Sequence, residues 1–184
     1  METLKIVTTA DVDELADLLV RSREYLAPFE PRREDSYFSA DYQRKLITAK
    51  LAAHESGSEV PFLILHDGMI VGQLTLDRIE FGPLQSADIG YWVAQDHCGR
   101  GIATRAVSEV LDYAWHDLGL CRIQAATLPE NEPSIIVLRR NGFALCGTAR
   151  SYMEIAGERR DHLVFERILA EAVKGRDGEP VIVR

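Results

Sequence analysis

With 184 residues, 46% of them apolar, the chain can bury one sizeable core and fits the length of a single domain. A formal charge of −8 argues against direct nucleic-acid binding as the main task, because phosphate contacts need clustered Lys and Arg. Early charges (Glu2, Lys5, Asp11, Asp13, Glu14), the lack of any apolar run of membrane-spanning length, and the absence of a C-x-x-C pair among Cys98, Cys121 and Cys146 point to a cytoplasmic protein with no disulfide framework and no metal site.

In chain order, Leu4–Thr8 reads as a short first strand, and Thr9 as the cap of a helix over Ala10–Arg23. Val12, Leu15, Leu18 and Leu19 form the apolar stripe of that helix, with Asp11, Asp13 and Glu14 near its positive end. Pro28 and Pro31 break it. The segment Tyr25–Phe38 mixes aromatics, prolines and both signs of charge, and is either a plain helix–helix connection or the lip of a substrate groove. Ser39 caps a second helix, Ala40–His54, with Tyr42, Leu46, Ala49 and Ala53 on one face. Strands Val60–His66 and Met69–Arg78 flank Asp67-Gly68, a two-residue hairpin signal. The loop Ile79–Ser86 leads into the strand Ala87–Val93, and a run of adjacent antiparallel strands is the economical arrangement.

The stretch Asp88–Thr104 is central. Its strand feeds a helix, marked by Ile102, Ala106, Val107, Val110, Leu111, Ala114 and Leu118, through a loop holding Gly99 and Gly101. Such a junction leaves unpaired N–H groups at the positive end of the helix dipole, an anion site suited to a pyrophosphate. The loop is not G-x-x-x-x-G-K-[ST], and G-R-G lacks the third glycine and downstream acid of a dinucleotide fold. Further on, Gly119 is a left-handed C-cap, and Arg122–Thr127 is a strand parallel to its predecessor because a helix connects them. Pro133 suits the first turn of a short helix ending at Asn141-Gly142, and Ala144–Ile155 with Arg159–Leu169 form a last hairpin around Ala156-Gly157. The tail from Gly175 is expected to be loosely held.

The glycine loop together with Asn131-x-x-Ser134 and Asn141-Gly142-Phe143 resembles the GNAT N-acetyltransferase superfamily. Arg23–Phe29 (REYLAPF) and Gly157–His162 (GERRDH) resemble its Rim-type ribosomal-protein N-terminal (alanine) acetyltransferases. The resemblance implies an α/β fold whose mixed, mostly antiparallel central sheet splays between strands 4 and 5 and is flanked by about four helices, as one domain over residues 1–174. It implies acetyl-CoA as co-substrate, no metal, and direct attack by a primary amine in a ternary complex. The acceptor it implies is the N-terminal α-amine of a ribosomal protein. A small-molecule amine, such as an antibiotic or aminoacyl nucleotide, and a non-catalytic acyl-CoA-binding regulatory module are the alternatives. No membrane partner is implied, and a homodimer is left open.

Residue by residue, the resemblance places the backbone of Trp92, Val93 and Ala94 against the pantetheine, which takes the place of a missing strand. Val93 N–H is then the donor toward the thioester carbonyl. The N–H groups of Gly99, Arg100, Gly101, Ile102, Ala103 and Thr104 hold the pyrophosphate, although Asp96 departs from the superfamily pattern Q/R-x-x-G-x-G. Asn131 hydrogen-bonds the pantetheine arm, or is an ordinary residue before a helix. Ser134 faces the sulfur and stabilises the departing thiolate, or is a first-turn serine. An N-terminal amine, with a pKa of roughly 7.7–8.0, needs only a modest base. Asp88 is that base through a water, with Glu80 as runner-up, and each is otherwise a solvated carboxylate. Tyr152 and Asp161, with Glu154 and His162, border the acceptor; Asp161 holds an ammonium, fixes its loop, or pairs with Arg150 or Arg159. The competing chemistry is a covalent Cys98 intermediate with His97 as base.

Overall fold

The structure, a computed structural model, describes residues 3–169, 172–174 and 180–182. Seven strands, β1 (Leu4–Ile6), β2 (Val60–His66), β3 (Met69–Glu80), β4 (Ser86–Val93), β5 (Arg122–Thr127), β6 (Ala144–Ile155) and β7 (Glu158–Ile168), form one sheet in the order β1-β2-β3-β4-β5-β7-β6. The four α-helices among the described residues are α1 (Val12–Leu26), α2 (Ala40–Glu55), α3 (Ile102–His116) and α4 (Glu132–Arg140). Every neighbouring pair in the sheet is antiparallel except β4–β5, where the α3 crossover requires a parallel pair. Most of the tail expected to be loosely held lies outside the described residues. Of it, β9 (Pro180–Ile182) pairs with β8 (Ala172–Lys174) as a separate two-stranded ribbon.

Alternation along the strands sorts the core to two faces. On one, Ile102, Val107, Val110, Ile135 and Leu138 of α3 and α4 pack on Leu74, Leu76, Ile89, Val93, Ile123 and Phe165. On the other, Val12, Leu15, Leu19 and Ile47 of α1 and α2 pack on Leu63 and Ile70, with Trp92 against them. Each fully buried Leu or Ile contributes roughly 1.5–3 kcal/mol of transfer free energy, so the two helical layers are held chiefly by these stripes. Among the described residues no helix is long and apolar enough to cross a membrane.

Three local expectations are corrected. First, α1 starts at Val12 rather than Ala10, because Thr8 N–H and Oγ1 both donate to Asp11 Oδ2 (2.8 and 2.7 Å) and wind residues 9–11 into a tight 3-10 turn. Lys5 Nζ closes on the same carboxylate at 2.6 Å. The helix then runs to Leu26, stopping just ahead of Pro28. Second, the inward face of α2 carries Gln43 and Ile47, while Tyr42 is exposed. Ser39 does cap the helix (Tyr42 N–H to Oγ, 3.3 Å), but the buried Gln43 amide donates to Tyr37 C=O at 2.6 Å and turns the helix by one position. Third, β3 passes Arg78 and reaches Glu80 through a bulge in which Arg78 takes φ 49°.

The sheet opens where the resemblance expects. Pairing of β4 with β5 covers only Ser86↔Arg122, Ala87↔Ile123 and Asp88↔Gln124, whereas β5 stays paired with β7 from Arg122 to Thr127. Beyond Asp88 the last five residues of β4 therefore part from β5.

Candidate active site

The register of β3 on β4 decides which peptide groups face that opening. Gly72 lies opposite Val93, and Ala94 N–H donates to Val71 C=O at 2.8 Å. In an antiparallel pair this directs Trp92 and Ala94 toward β3, and Tyr91 and Val93 toward the gap. The sequence expectation is thus corrected in part: the Val93 peptide faces the opening, but those of Trp92 and Ala94 are spent within the sheet, and Tyr91 takes the second place. Gly72 makes this strand position attainable, since a Cβ there would meet Trp92 O at 2.2 Å.

At the mouth of the gap the chain passes a short 3-10 turn, Gln95–His97, and enters α3. Gly99 and Gly101 each sit at φ 74°, a conformation natural to glycine, and a Cβ built on either meets no atom within 4 Å. Among the described residues no protein acceptor takes the N–H of Gly99, Arg100, Gly101, Ile102, Ala103 or Thr104. Six consecutive free donors around open space at a helix N-terminus form a cradle for an anion. Its exposed Arg100 adds a positive side chain. A coenzyme with a pyrophosphate and an amide-bearing arm fits this chain: the cradle would hold the first, and the unpaired edge of β4 the second.

Across the gap, α4 starts at Glu132 with Asn131 as its cap, Oδ1 accepting from Ser134 N–H at 3.3 Å. Asn131 therefore caps the helix with one lone pair of Oδ1, and its Nδ2 makes no hydrogen bond among the described residues. Ser134 Oγ lies 3.1 Å from Tyr91 Oη, whose hydroxyl also reaches Ser134 C=O at 3.3 Å. Burial pushes the Tyr91 phenol up to about 12, with the Ser134 bond opposing. Strand alternation reads Tyr91 as core, and only the fold brings its hydroxyl to Ser134.

The expected carboxylates stand elsewhere. Asp88 pairs with the Arg78 guanidinium that the β3 bulge swings across. Burial pushes its carboxyl up, and Arg78 and Arg122 oppose. At about 3.3 Å of rise per residue it is also about 16 Å along β4 from Val93. Glu80, opposite Ser86, lies farther still and is exposed. The Asp88 carboxylate is thus held by a guanidinium where the β4–β5 pairing ends. Asp161 Oδ1 accepts from Ser151 N–H at 2.7 Å and so fixes the bulge where Ser151 takes φ 48°. It makes no ion pair with Arg150 or Arg159 among the described residues. Tyr152 stacks obliquely on His162, ring centroids 5.2 Å apart.

The segment Tyr25–Phe38 borders a groove. Glu30, Arg33 and Tyr37 face Tyr42, Gln73 and Trp92 across a groove of about 260 Å³, and Glu30 C=O ties it to the β6–β7 turn through Ala156 N–H (3.0 Å). Burial pushes the Glu30 carboxyl up while Arg33 opposes, and among the described residues that carboxylate has no hydrogen bond or ion pair. A larger cavity, about 400 Å³, lies behind the loop between Glu14, Arg21, Met69, Ala94 and His97. None of Tyr91, Trp92 or Ser134 borders it, so it stands apart from the gap. The Cys98–His97 pairing is not assembled: Cys98 Sγ lies 3.3 Å from Tyr25 Oη, and the His97 ring meets His66 edge-on at 5.8 Å.

A split mixed sheet with a free-donor loop at its mouth defines a coenzyme-dependent acyl-transfer fold. Residues 3–144 match the acetyltransferase (GNAT) domain model, and the chain belongs to that family. It is 38% identical over 157 residues to the Bacillus subtilis protein named "Probable N-acetyltransferase YjcK", covering 84% of this chain and 87% of that one. It is 27% identical over 176 residues to the Escherichia coli [ribosomal protein uS5]-alanine N-acetyltransferase, covering 94% and 90%. Mycobacterium smegmatis RimJ, solved in complex with CoA-disulfide, superposes with a TM-score of 0.87 at 34% identity, over 90% of this chain and 80% of that one. The protein is an acetyl-CoA-dependent acetyltransferase of Rim-type relationship.

Proposed function

We propose that this enzyme transfers acetyl directly from acetyl-coenzyme A to the N-terminal α-amine of a protein, a ribosomal protein being the acceptor its relatives suggest, met in the cytoplasm. The observation that carries the reading is the vacant strand position between β4 and β5, whose free peptide groups lead from the six-donor loop to Ser134. In this reading residues 1–174 act as one domain. Gly99–Thr104 bind the pyrophosphate and Asn131 Nδ2 meets the arm. The N–H groups of Val93 and Tyr91 face the thioester carbonyl, where charge develops as the amine attacks. Ser134 donates to the sulfur as the C–S bond breaks, near the positive end of α4. In this reading the amine attacks the acyl carbon directly, with no covalent enzyme intermediate.

The groove edged by Glu30, Tyr37 and Trp92 receives the acceptor, and Tyr152 with the Asp161-fixed bulge bounds it beyond the Ala156 contact. For the amine proton this reading takes Glu30 rather than Asp88: Glu30 lines the groove and among the described residues has no hydrogen bond or ion pair, whereas Asp88 is paired with Arg78. Acetyl-dependent release of coenzyme thiol over a panel of amines tests the proposal. Peptides beginning with Ala or Ser should outrun ε-lysine amines and aminoglycosides, and a preference for a small amine would overturn the peptide reading.

A further inference from the structure

We propose that Tyr91 is a positioning residue for thiolate departure: its hydroxyl holds Ser134 Oγ so that the serine proton is aimed at the coenzyme sulfur. The inference rests on the acetyl-transfer reading above. Tyr91 Oη has one proton and two acceptors in reach, Ser134 Oγ at 3.1 Å and Ser134 C=O at 3.3 Å. When that proton goes to Oγ, it occupies one lone pair of the serine and leaves the serine O–H to seek an acceptor elsewhere. In this arrangement the serine O–H is directed into the gap, Tyr91 Oη lying on the other side of Oγ.

The phenol is fixed from three directions. Its ring packs among the buried residues of the α3–α4 face, its own peptide faces the gap, and its hydroxyl meets the first turn of α4. Strand and helix thus share one hydroxyl contact across the opening, which sets the height of Ser134 relative to the Tyr91 and Val93 N–H groups. In the step itself the amine nitrogen bonds to the acyl carbon and the C–S electron pair leaves on sulfur. The amine proton goes to the base, and the serine O–H hydrogen-bonds the departing thiolate and stabilises its charge. Burial, which pushes the phenol up to about 12, keeps the proton on Tyr91, so the hydroxyl stays able to donate to Oγ and is not itself the acid.

The test compares acetyl-CoA with its selenoester, whose more acidic selenol needs less help in leaving, using wild type, Tyr91→Phe, Ser134→Ala and the double variant. With an Ala-initiated peptide and the thioester, Tyr91→Phe should lower kcat by about tenfold, with coenzyme Kd and Tm little changed. With the selenoester the loss should shrink to less than about twofold, and in the Ser134→Ala background Tyr91→Phe should cost nothing further. Equal losses with both donors, or a full additional loss in the Ser134→Ala background, would overturn the inference. Should Tyr91→Phe melt too low to assay, Ser134→Ala is read by the same ratio, and a loss equal with both donors overturns it. Active wild type with a Tyr91→Phe chain of equal rate rejects this inference alone. Coenzyme binding without turnover of any amine by wild type rejects the acetyl-transfer reading, and this inference with it.

Discussion

Replacing Gly101 by Val probes the coenzyme cradle where structure and sequence agree most closely. The residue sits at φ 74° with no atom within 4 Å of a built Cβ, so the protein itself has room for a side chain. The left-handed backbone costs an L-residue about 1–2 kcal/mol, which for a chain of this size is a fall in Tm of roughly 2–8 °C. The coenzyme has less tolerance. An isopropyl group projecting into the ring of free N–H donors would displace phosphate oxygens from at least two of them, at about 1.5–3 kcal/mol for each charge-assisted bond. The sum, about 3–6 kcal/mol, weakens coenzyme Kd by roughly two to four orders of magnitude. Gly68→Val is the control, because Gly68 has φ 80° and equally open space but lies in the β2–β3 turn. Calorimetric titration with coenzyme A should show the loss for Gly101→Val only. Two folded variants that bind coenzyme equally well would refute the placement of the pyrophosphate.

Four further outcomes are expected. Glu30→Gln should lower kcat/KM most below the amine pKa and progressively less above it, as free amine and hydroxide replace the base, whereas Asp88→Asn should leave the pH–rate profile close to wild type and lower Tm through loss of the Arg78 pair; the reverse result restores Asp88 as the base. Ser134→Ala should reduce the rate evenly across pH, and a near-wild-type rate would leave water as the donor. Burial raises the Asp77 carboxyl above the ordinary carboxylate range while Arg78, 3.5 Å from its Oδ1, opposes, and that oxygen has no hydrogen bond among the described residues, so its favourable contribution is present at acid pH, below the unfolded value, and fades as pH rises through the folded one. Asp77→Asn should therefore raise Tm at neutral pH and lose the advantage on acidification, and a Tm difference flat with pH contradicts this. Gly72→Ala should cost about 2 kcal/mol, roughly 4–8 °C in Tm, because backbone at Trp92 must move; an unchanged melting curve contradicts the register.

Much of this architecture is legible from residue order. The turn at Asp67-Gly68, the cap at Ser39, and the strand–loop–helix through Gly99 and Gly101 are local, and local backbone chemistry is what residue types report. The splay is legible only through family resemblance, since no residue in β4 announces that its partner departs after Asp88. Side-chain partners across the sheet are the least legible. Asp88 reads as a free carboxylate until the bulge at Arg78 brings the guanidinium over, and Tyr91 reads as core until α4 places Ser134 beside its hydroxyl. Peptide direction fails for a related reason: a one-residue change of register exchanges Trp92 and Ala94 for Tyr91 and Val93, and register is set by β3 rather than by β4 itself. Glu30 lies in an irregular segment, and only the folded chain brings it to a groove with Tyr37 and Trp92.

The most direct test uses one peptide that begins with Ala and carries an internal Lys, incubated with enzyme and acetyl-coenzyme A, with the product mapped by fragmentation mass spectrometry. Acetyl on the α-amine alone, with initial rates that intersect when both substrates are varied, is the expected result. Acetyl on the lysine side chain, or a peptide left unmodified while a small amine is acetylated, would contradict it.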